Sequence, residues 1–585
     1  MCFLCLAAQG PGEASAPSRF LADSPLGSPL GAAPRLHLTT SGDARVDGLL
    51  SGFAWSSVGT VTFSFPDSAA DYESFYGASE PTRGFAQAGS ALRDAVRKIL
   101  LGEAAGITSG PGSPGASVLG FTNLAIAEGA NDAWSDIRVA LSAAPSTAWA
   151  YYPNGREGGD VWFGSRHDFA NPRLGTWLFV TAIHELGHAL GLKHPHETSN
   201  GFAALPEAWD SLEFTVMSYR SRVGAPANLG YTNGSFDYPQ SWMMLDIAAL
   251  QAMYGADYTH RAGNTRYSWD PNTGETFIDG IGQGRPGEGS VGQTNRIFLT
   301  IWDGGGTDTY DLSNYANGVL VDLAPGAHSV LSASQLAVLD VRDGTQARGN
   351  VFNSLLYQGN TASLIENAIG GAGADTLLGN VGANRLEGGA GQDRLEGREG
   401  PDLLIGGAGA DTLIGGTGHD VFLIQDTLDT IIELPGEGID TLLVETASAA
   451  TLPDGVEILR LGSAGRIATG NAAGNLLIGG AGNDCLDGRG GADVIIGGPG
   501  ADTLTGGLGA DRFVMRPGDG VDRITDFTPG LDQLALLGFG LDAATVLARL
   551  TPVLGGLSLD LGLGAGVFLA GVAPGSITAG DLILA

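Results

Sequence analysis

From Gly370 onward the chain repeats every nine residues: GGAGADTLL, GNVGANRLE, GGAGQDRLE, GREGPDLLI, GGAGADTLI, GGTGHDVFL. The sixth position is Asp375, Asn384, Asp393, Asp402, Asp411 and Asp420; the eighth is Leu377, Leu386, Leu395, Leu404, Leu413 and Phe422. A second block carries Asn475, Asp484, Asp493, Asp502 and Asp511 with Leu477, Leu486, Ile495, Leu504 and Phe513. Such regularity has a mechanical cause. Glycines permit a tight turn with inward carbonyls, the aspartate offers a carboxylate to calcium, and the apolar residue on the short following strand packs inside. Each nonapeptide is half a coil, so turns two repeats apart stack on one edge and share ions. A flexible Gly/Asp linker would have no reason to hold the apolar position through both blocks.

The remaining composition fits that reading. The 585 residues include 94 glycines and carry a net charge of -33, which argues against nucleic acid or an anionic membrane as partner and suits a chain that binds cations. Without calcium the acidic turns should repel one another and the coils loosen. Both blocks end alike: Asp420-Val-Phe422 leads to Pro435-Gly-Glu-Gly-Ile-Asp440, and Asp511-Arg-Phe513 leads to Pro517-Gly-Asp-Gly-Val-Asp522. The likeness suggests a duplicated roll, with residues 424–469 bridging the copies as short strands. The cysteines are Cys2, Cys5 and Cys485, too few for a disulfide framework. Residues 1–38, rich in Pro, Ala, Gly and Ser, read as a leader or propeptide. No 18-residue apolar run or basic signal region occurs, so neither stable membrane insertion nor a Sec signal is expected. Lys98 and Lys193 are the only lysines, and the sequence assigns them no role.

A second feature lies upstream, at His184-Glu-Leu-Gly-His188-Ala-Leu-Gly191-Leu-Lys-His194. Residues four apart on a helix share a face, so His184 and His188 can meet one metal ion, with Glu185 beside them to handle a metal-bound water. Three protein ligands and a water make a catalytic zinc. A continuous helix would carry His194 about 280° around from His184. Gly191 removes that difficulty as a left-handed terminator, letting the chain turn back. Phe179, Ile183, Leu186 and Leu190 give this helix its apolar stripe. Alternation marks strands at 60–65, 137–141, 149–152 and 158–163, and helical spacing marks 85–102 and 239–255.

The extended histidine motif followed by Val216-Met217-Ser218-Tyr219 resembles the serralysins, secreted bacterial metzincin proteases, and the nonapeptides resemble RTX repeats, which form parallel β-rolls. The resemblance implies that Met217 forms the Met-turn beneath zinc and that Tyr219 ligates zinc at rest and steadies the transition state. It also aligns Asp246, Ile247 and Leu250 with the family order. Arg261-Ala-Gly-Asn-Thr265 and Trp302-Asp-Gly-Gly-Gly-Thr-Asp308 resemble the family's first calcium site. There the carbonyls of Arg261, Gly263, Thr265 and Gly305 and the carboxylates of Asp303 and Asp308 would surround one ion. The second repeat block departs from the usual single roll. Gly580-Asp-Leu-Ile-Leu-Ala585 resembles an uncleaved type I secretion signal.

The expected architecture is an α+β metzincin catalytic domain followed by an all-β parallel β-roll, duplicated. Its parts are a leader (1–38), protease (39–258), linking strands and first roll (259–423), bridge (424–469), second roll (470–530) and secretion region (531–585). The expected function is that of a secreted, monomeric zinc endopeptidase with one zinc and several calcium ions. It would act on proteins and peptides, be exported by type I machinery, and bind its substrate along an edge strand formed by 137–141. Two alternatives stand beside it: a catalytically silent RTX surface or matrix protein, and a latent precursor in which Cys2 or Cys5 caps the zinc.

Overall fold

The computed structural model describes residues 35–585 apart from 57–58, 74–75, 78, 103–114, 116, 154–156, 170, 229, 289–293, 426–427, 446 and 463–464. Cys2, Cys5 and most of the expected leader lie outside the described residues. Two compact units are present. The first comprises the chain up to Asn314 together with Val321–Ile365; the second comprises Tyr315–Leu320 and Glu366–Ala585. Among the described residues no helix is long and apolar enough to cross a membrane.

In the first unit a sheet runs in the order Ile126–Glu128, Val61–Ser64, Ile137–Ser142, Val161–Gly164, Ala148–Ala150. Adjacent strands are parallel except the last, which pairs antiparallel with Val161–Gly164. Parallel neighbours need a crossover, and the helix Ser90–Leu101 lies in the connection between Val61–Ser64 and Ile126–Glu128. That helix begins later than its apolar spacing predicts, because Ala86 and Gln87 are drawn into pairing with Leu141 and Ala140. The sheet also corrects an expectation. Ile137–Ser142 is an interior strand with partners on both sides, so it has no free edge for a peptide; Ala148–Ala150 forms that edge. Helix Trp177–Leu190 is buried on nearly every side from Phe179 to Leu190, well beyond a single apolar stripe.

The second unit is a roll built on an eighteen-residue coil. Asn367–Ile369 pairs parallel with Arg385–Gly391, which pairs with Leu403–Gly409, which pairs with Val421–Ile424. On the opposite face Thr376–Leu378, Arg394–Glu399, Thr412–Thr417 and Thr430–Ile432 stack in the same way. The register places Leu377 on Leu395 on Leu413, and Leu386 on Leu404 on Phe422, and all six side chains are fully buried. Segment 424–469 supplies further rungs of one stack: Thr441–Val444 and Ile458–Leu461 join Val421–Ile424 to Leu476–Ile478 without a break. The other face is interrupted, with Ala449–Thr451 starting a separate sheet. Leu582–Leu584, within the expected secretion signal, pairs with Gln533–Leu536 as the last rung.

The turns explain the glycines. Gly407 sits at φ +103°, where a Cβ is disfavoured, and a Cβ there would also collide with the Gly389 carbonyl one coil below. Each repeat aspartate ties two coils together. Oδ1 of Asp393 accepts from Asp375 N–H at 2.8 Å, Oδ1 of Asp402 from Asn384 N–H at 2.7 Å, and Oδ1 of Asp420 from Asp402 N–H at 2.8 Å. Burial, and after it neighbouring carboxylates, push Asp393 and Asp420 up to about 6 and Asp402 up to about 8.

Truncating Leu395 to Ala should cost about 2–5 kcal/mol of roll stability in calcium, read by chemical denaturation. A second expectation follows from the raised acids. The folded roll keeps protons that the unfolded chain has released, so their contribution is full below the ordinary value of 3.8 and is lost as pH rises through about 6 to 8. Denaturation in a calcium chelator should therefore show stability falling across that window. Saturating calcium should flatten the slope, because it neutralises the same carboxylates.

Candidate metal centre

The helix that carries His184 and His188 is fixed at both ends. Thr176 caps its start by accepting from Phe179 N–H. At its end Gly191 adopts φ +109°, and its N–H reaches the Gly187 and His188 carbonyls. A Cβ at Gly191 would collide with the Phe53 carbonyl, so both conformation and space call for glycine. Two more terminal carbonyls are satisfied from distant chain: Trp55 Nε1 donates to Ala189 O at 2.9 Å and Tyr254 hydroxyl to Leu190 O at 2.5 Å. Beyond the turn Lys193 N–H donates to Leu49 O at 2.7 Å, and its buried ammonium donates to the carbonyls of Gly48 and Ala203. The lysine without a role in the sequence thus anchors the residue before His194.

This turn brings the three histidines together. Nε2 of His194 lies 3.2 Å from Nε2 of His184 and 3.0 Å from Nε2 of His188. Each opposite nitrogen is held by an acceptor: His184 Nδ1 by Val216 O at 2.8 Å, His188 Nδ1 by Leu192 O at 2.7 Å and His194 Nδ1 by Glu197 Oε1 at 2.8 Å. A neutral ring that donates from Nδ1 carries its lone pair on Nε2, so three lone pairs converge. Burial, then the charge of His194, pushes His184 down to about 3; burial also drives His188 well below its usual range. Tetrahedral zinc with nitrogen ligands at 2.0–2.1 Å would set those nitrogens about 3.3 Å apart, close to the spacing found. The donor set therefore fits zinc. Glu197 and the two carbonyls had no part in the sequence reading; an acid three residues after the last histidine was the one visible signal.

Around the triad, Tyr219 hydroxyl lies 2.6 Å from His194 Nε2, at the point of convergence. Glu185 is buried beside His184, 2% exposed. Met217 is fully buried beneath the helix, and a Cβ on Gly187 would come within 2.6 Å of its Sδ, so this glycine makes room for the methionine. The Met217 turn is held by Asp246, which accepts from Thr215 hydroxyl at 2.5 Å and from Val216 N–H and Met243 N–H, each at 2.9 Å. Asp246 thereby positions the carbonyl that orients His184. Tyr152, next to the edge strand Ala148–Ala150, sets its ring 5.6 Å from that of His188.

The calcium candidates fall into three groups. The loops of Arg261–Thr265 and Asp303–Asp308 lie together: Asp308 Oδ1 accepts from Thr265 N–H at 2.7 Å, and Asp303 accepts from Gly305 N–H at 3.1 Å and Tyr267 hydroxyl at 2.6 Å. Gly263 packs against Gly306 in the same cluster. In the roll, Oδ2 of Asp393, Asp402, Asp420, Asp493 and Asp502 is buried and makes no hydrogen bond, a carboxylate oxygen left for a hard cation. Asp411 and Asp511 occupy equivalent positions, with Asp393 N–H and Asp493 N–H donating to their Oδ1. Asp375 and Asp484, the first aspartates of their blocks, differ. Both oxygens of each accept backbone N–H groups, Val319 and Gly371 for one, Arg466 and Gly480 for the other.

Replacing Asp246 with Ala should leave three buried donors unmatched and cost upward of about 3 kcal/mol, read by urea denaturation of the zinc-loaded protein. The weakened hold on His184 should also appear as faster zinc loss to a chelator.

Comparison with known proteins agrees with this geometry. The RTX calcium-binding nonapeptide repeat family matches residues 365–395, 387–422, 467–495, 478–513 and 487–524, and the Matrixin family matches 142–208. Serralysin C of Dickeya chrysanthemi is 37% identical over 40% of this chain and 43% of its own length. Serralysin B of the same organism is 34% identical over 40% and 43%, and metallopeptidase AprA of Pseudomonas marginalis 32% over 40% and 45%. The chain thus spans less than half the length of these relatives. Among solved structures, the extracellular lipase LipA of Serratia marcescens matches 40% of this chain and 44% of its own at 21% identity, with a TM-score of 0.15, too low to bear on the fold. With a matrixin segment around the histidine triad and RTX calcium-binding repeats after it, the chain has the make-up of a serralysin-like metzincin.

Proposed function

We propose that the chain is a secreted, calcium-stabilised zinc endopeptidase that cleaves protein substrates. The observation that carries this reading is the convergence of His184, His188 and His194 through Nε2, each backed at Nδ1 by a fixed acceptor. Zinc held there would supply a Lewis acid and an acidified water. Glu185 takes the proton from the attacking water and returns it to the leaving nitrogen. Tyr219 moves its hydroxyl off His194 Nε2 and donates to the oxyanion of the tetrahedral intermediate. The substrate backbone extends the sheet along Ala148–Ala150, the edge strand flanked by Tyr152 and so by His188.

The acidic roll accounts for calcium and for the place of action. Its buried aspartates and the loops at 261–265 and 303–308 bind several calcium ions. In a calcium-poor cytoplasm the roll stays loose, and it folds on reaching calcium outside, after export by type I machinery that reads the C-terminal region. The chain works as a monomer.

Glu185→Ala should lower kcat/KM on casein by about 10²–10⁴-fold with zinc retained, and Tyr219→Phe by about 10²–10³-fold, mainly in kcat. Wild-type activity should vanish in a zinc chelator and return with zinc. Equal activity in wild type and Glu185→Ala would sink the mechanism and favour a silent calcium-binding protein.

A further inference from the structure

Strands Val61–Ser64 and Ile126–Glu128 pair in parallel, Phe63 against Glu128, so both leave the sheet of the first unit at the same end. A short acidic turn follows each. Asp67 and Asp71 come after the first strand, where Ser68 caps the turn Ala69–Asp71, and Asp132 opens the turn Asp132–Trp134 after the second. Parallel pairing brings the two turns together. One oxygen from each of Asp67, Asp71 and Asp132 lies within 4.8 Å of the other two. Two oxygens on opposite sides of a calcium ion stand about 4.6–5.2 Å apart, so the three can reach one ion of that size.

The guanidinium groups nearest these turns are committed elsewhere. Arg138, which donates to the Asp71 main-chain carbonyl, pairs with Asp160 at 2.6 Å, and Arg97 pairs with Glu128 at 2.7 Å and Asp94 at 3.0 Å. Within the cluster Asp71 Oδ2 accepts from Ser68 N–H at 3.1 Å, which fixes that carboxylate. A second observation comes from Ser64, the last residue of its strand. It is 1% exposed, and its buried Oγ makes no hydrogen bond of ordinary geometry. The group it faces is the Asp132 carboxyl. Burial raises the pKa of Asp132, the Ser64 hydroxyl lowers it, and the charges of Asp71, Asp67 and Glu128 raise it further. A buried hydroxyl without a partner is costly, and a cation among the carboxylates would take its oxygen.

We propose that Asp67, Asp71 and Asp132, joined by the Ser64 hydroxyl, bind a calcium ion that clamps together the turns at the ends of these two strands. The donors are all oxygen, the set a hard divalent cation takes, and three carboxylates balance its charge with one to spare. Water completes the shell, since Asp67 is exposed and Asp71 and Asp132 are half-buried. This ion is separate from those of the roll and of the loops at 261–265 and 303–308, and the site stands whether or not they bind calcium.

The test uses terbium, a luminescent ion that occupies calcium sites and is excited through a nearby indole. The chain has nine tryptophans, none after Trp302, and Trp134, 56% exposed, sits in the same turn as Asp132. The full chain, stripped with chelator, is titrated with terbium under indole excitation as wild type, Trp134→Phe, Asp132→Asn and the control Glu207→Gln, an exposed acid in the same turn as Trp209. The emission that Trp134→Phe abolishes is the signal of this site. In Asp132→Asn that component should bind terbium about tenfold or more weakly, while Glu207→Gln matches wild type and calcium displaces the signal. Circular dichroism checks folding; should Asp132→Asn not fold, Asp67→Asn, at an exposed side chain, carries the same expectation. The site is overturned if no emission depends on Trp134, if that emission is unchanged in the aspartate variants, or if calcium fails to displace it.

Discussion

Three imidazole lone pairs held about 3 Å apart are a repulsive arrangement, and the first unit is largely a device for enforcing it. Each ring is pinned at its outward nitrogen. Val216 holds one ring from the Met217 turn, Leu192 another from the chain just past the helix, and Glu197 the third. Those acceptors are themselves held: Asp246 gathers Val216, and Lys193 fixes the turn before His194 by donating to carbonyls of 48 and 203. Orientation therefore passes inward from backbone to ring, the usual means by which outer groups set tautomer and direction at a metal.

The roll solves a comparable problem with a different economy. In Asp393 and Asp402 one oxygen accepts a backbone N–H from the neighbouring coil and fixes the register, while the other is buried and makes no hydrogen bond. A side chain that both sets the register and offers an oxygen to a cation would couple folding to whatever ion it binds. Where a block begins, the duty changes: Asn384 and Asn475 use an amide to bridge to neighbouring backbone or Asn groups, and Asp375 and Asp484 spend both oxygens on N–H donors.

Much of this was legible in the sequence. Spacing alone put His184 and His188 on one face and required a turn at Gly191, and the nine-residue period implied an eighteen-residue coil with leucines inside. Local patterns carry such features because they depend on helical and strand periodicity. Which strand forms the edge of the sheet could not be read the same way: 137–141 and 149–152 alternate alike, and only pairing on both sides makes the first interior and the second an edge. The helix at 85–102 was shortened at its start for a similar reason, since sheet pairing captured Ala86 and Gln87.

The sequence by itself determined which histidines could share a face, the repeat and the sign of the charge, because each follows from side-chain chemistry and near-neighbour spacing. Tertiary structure alone decided what those groups face. Asp246 meets the Met217 turn across thirty residues, Trp55 and Tyr254 close a helix end from far along the chain, and 424–469 continues one stack of the roll while interrupting the other. These are contacts between segments distant in sequence, set by burial and hydrogen-bond satisfaction in the folded chain, and no local pattern encodes them.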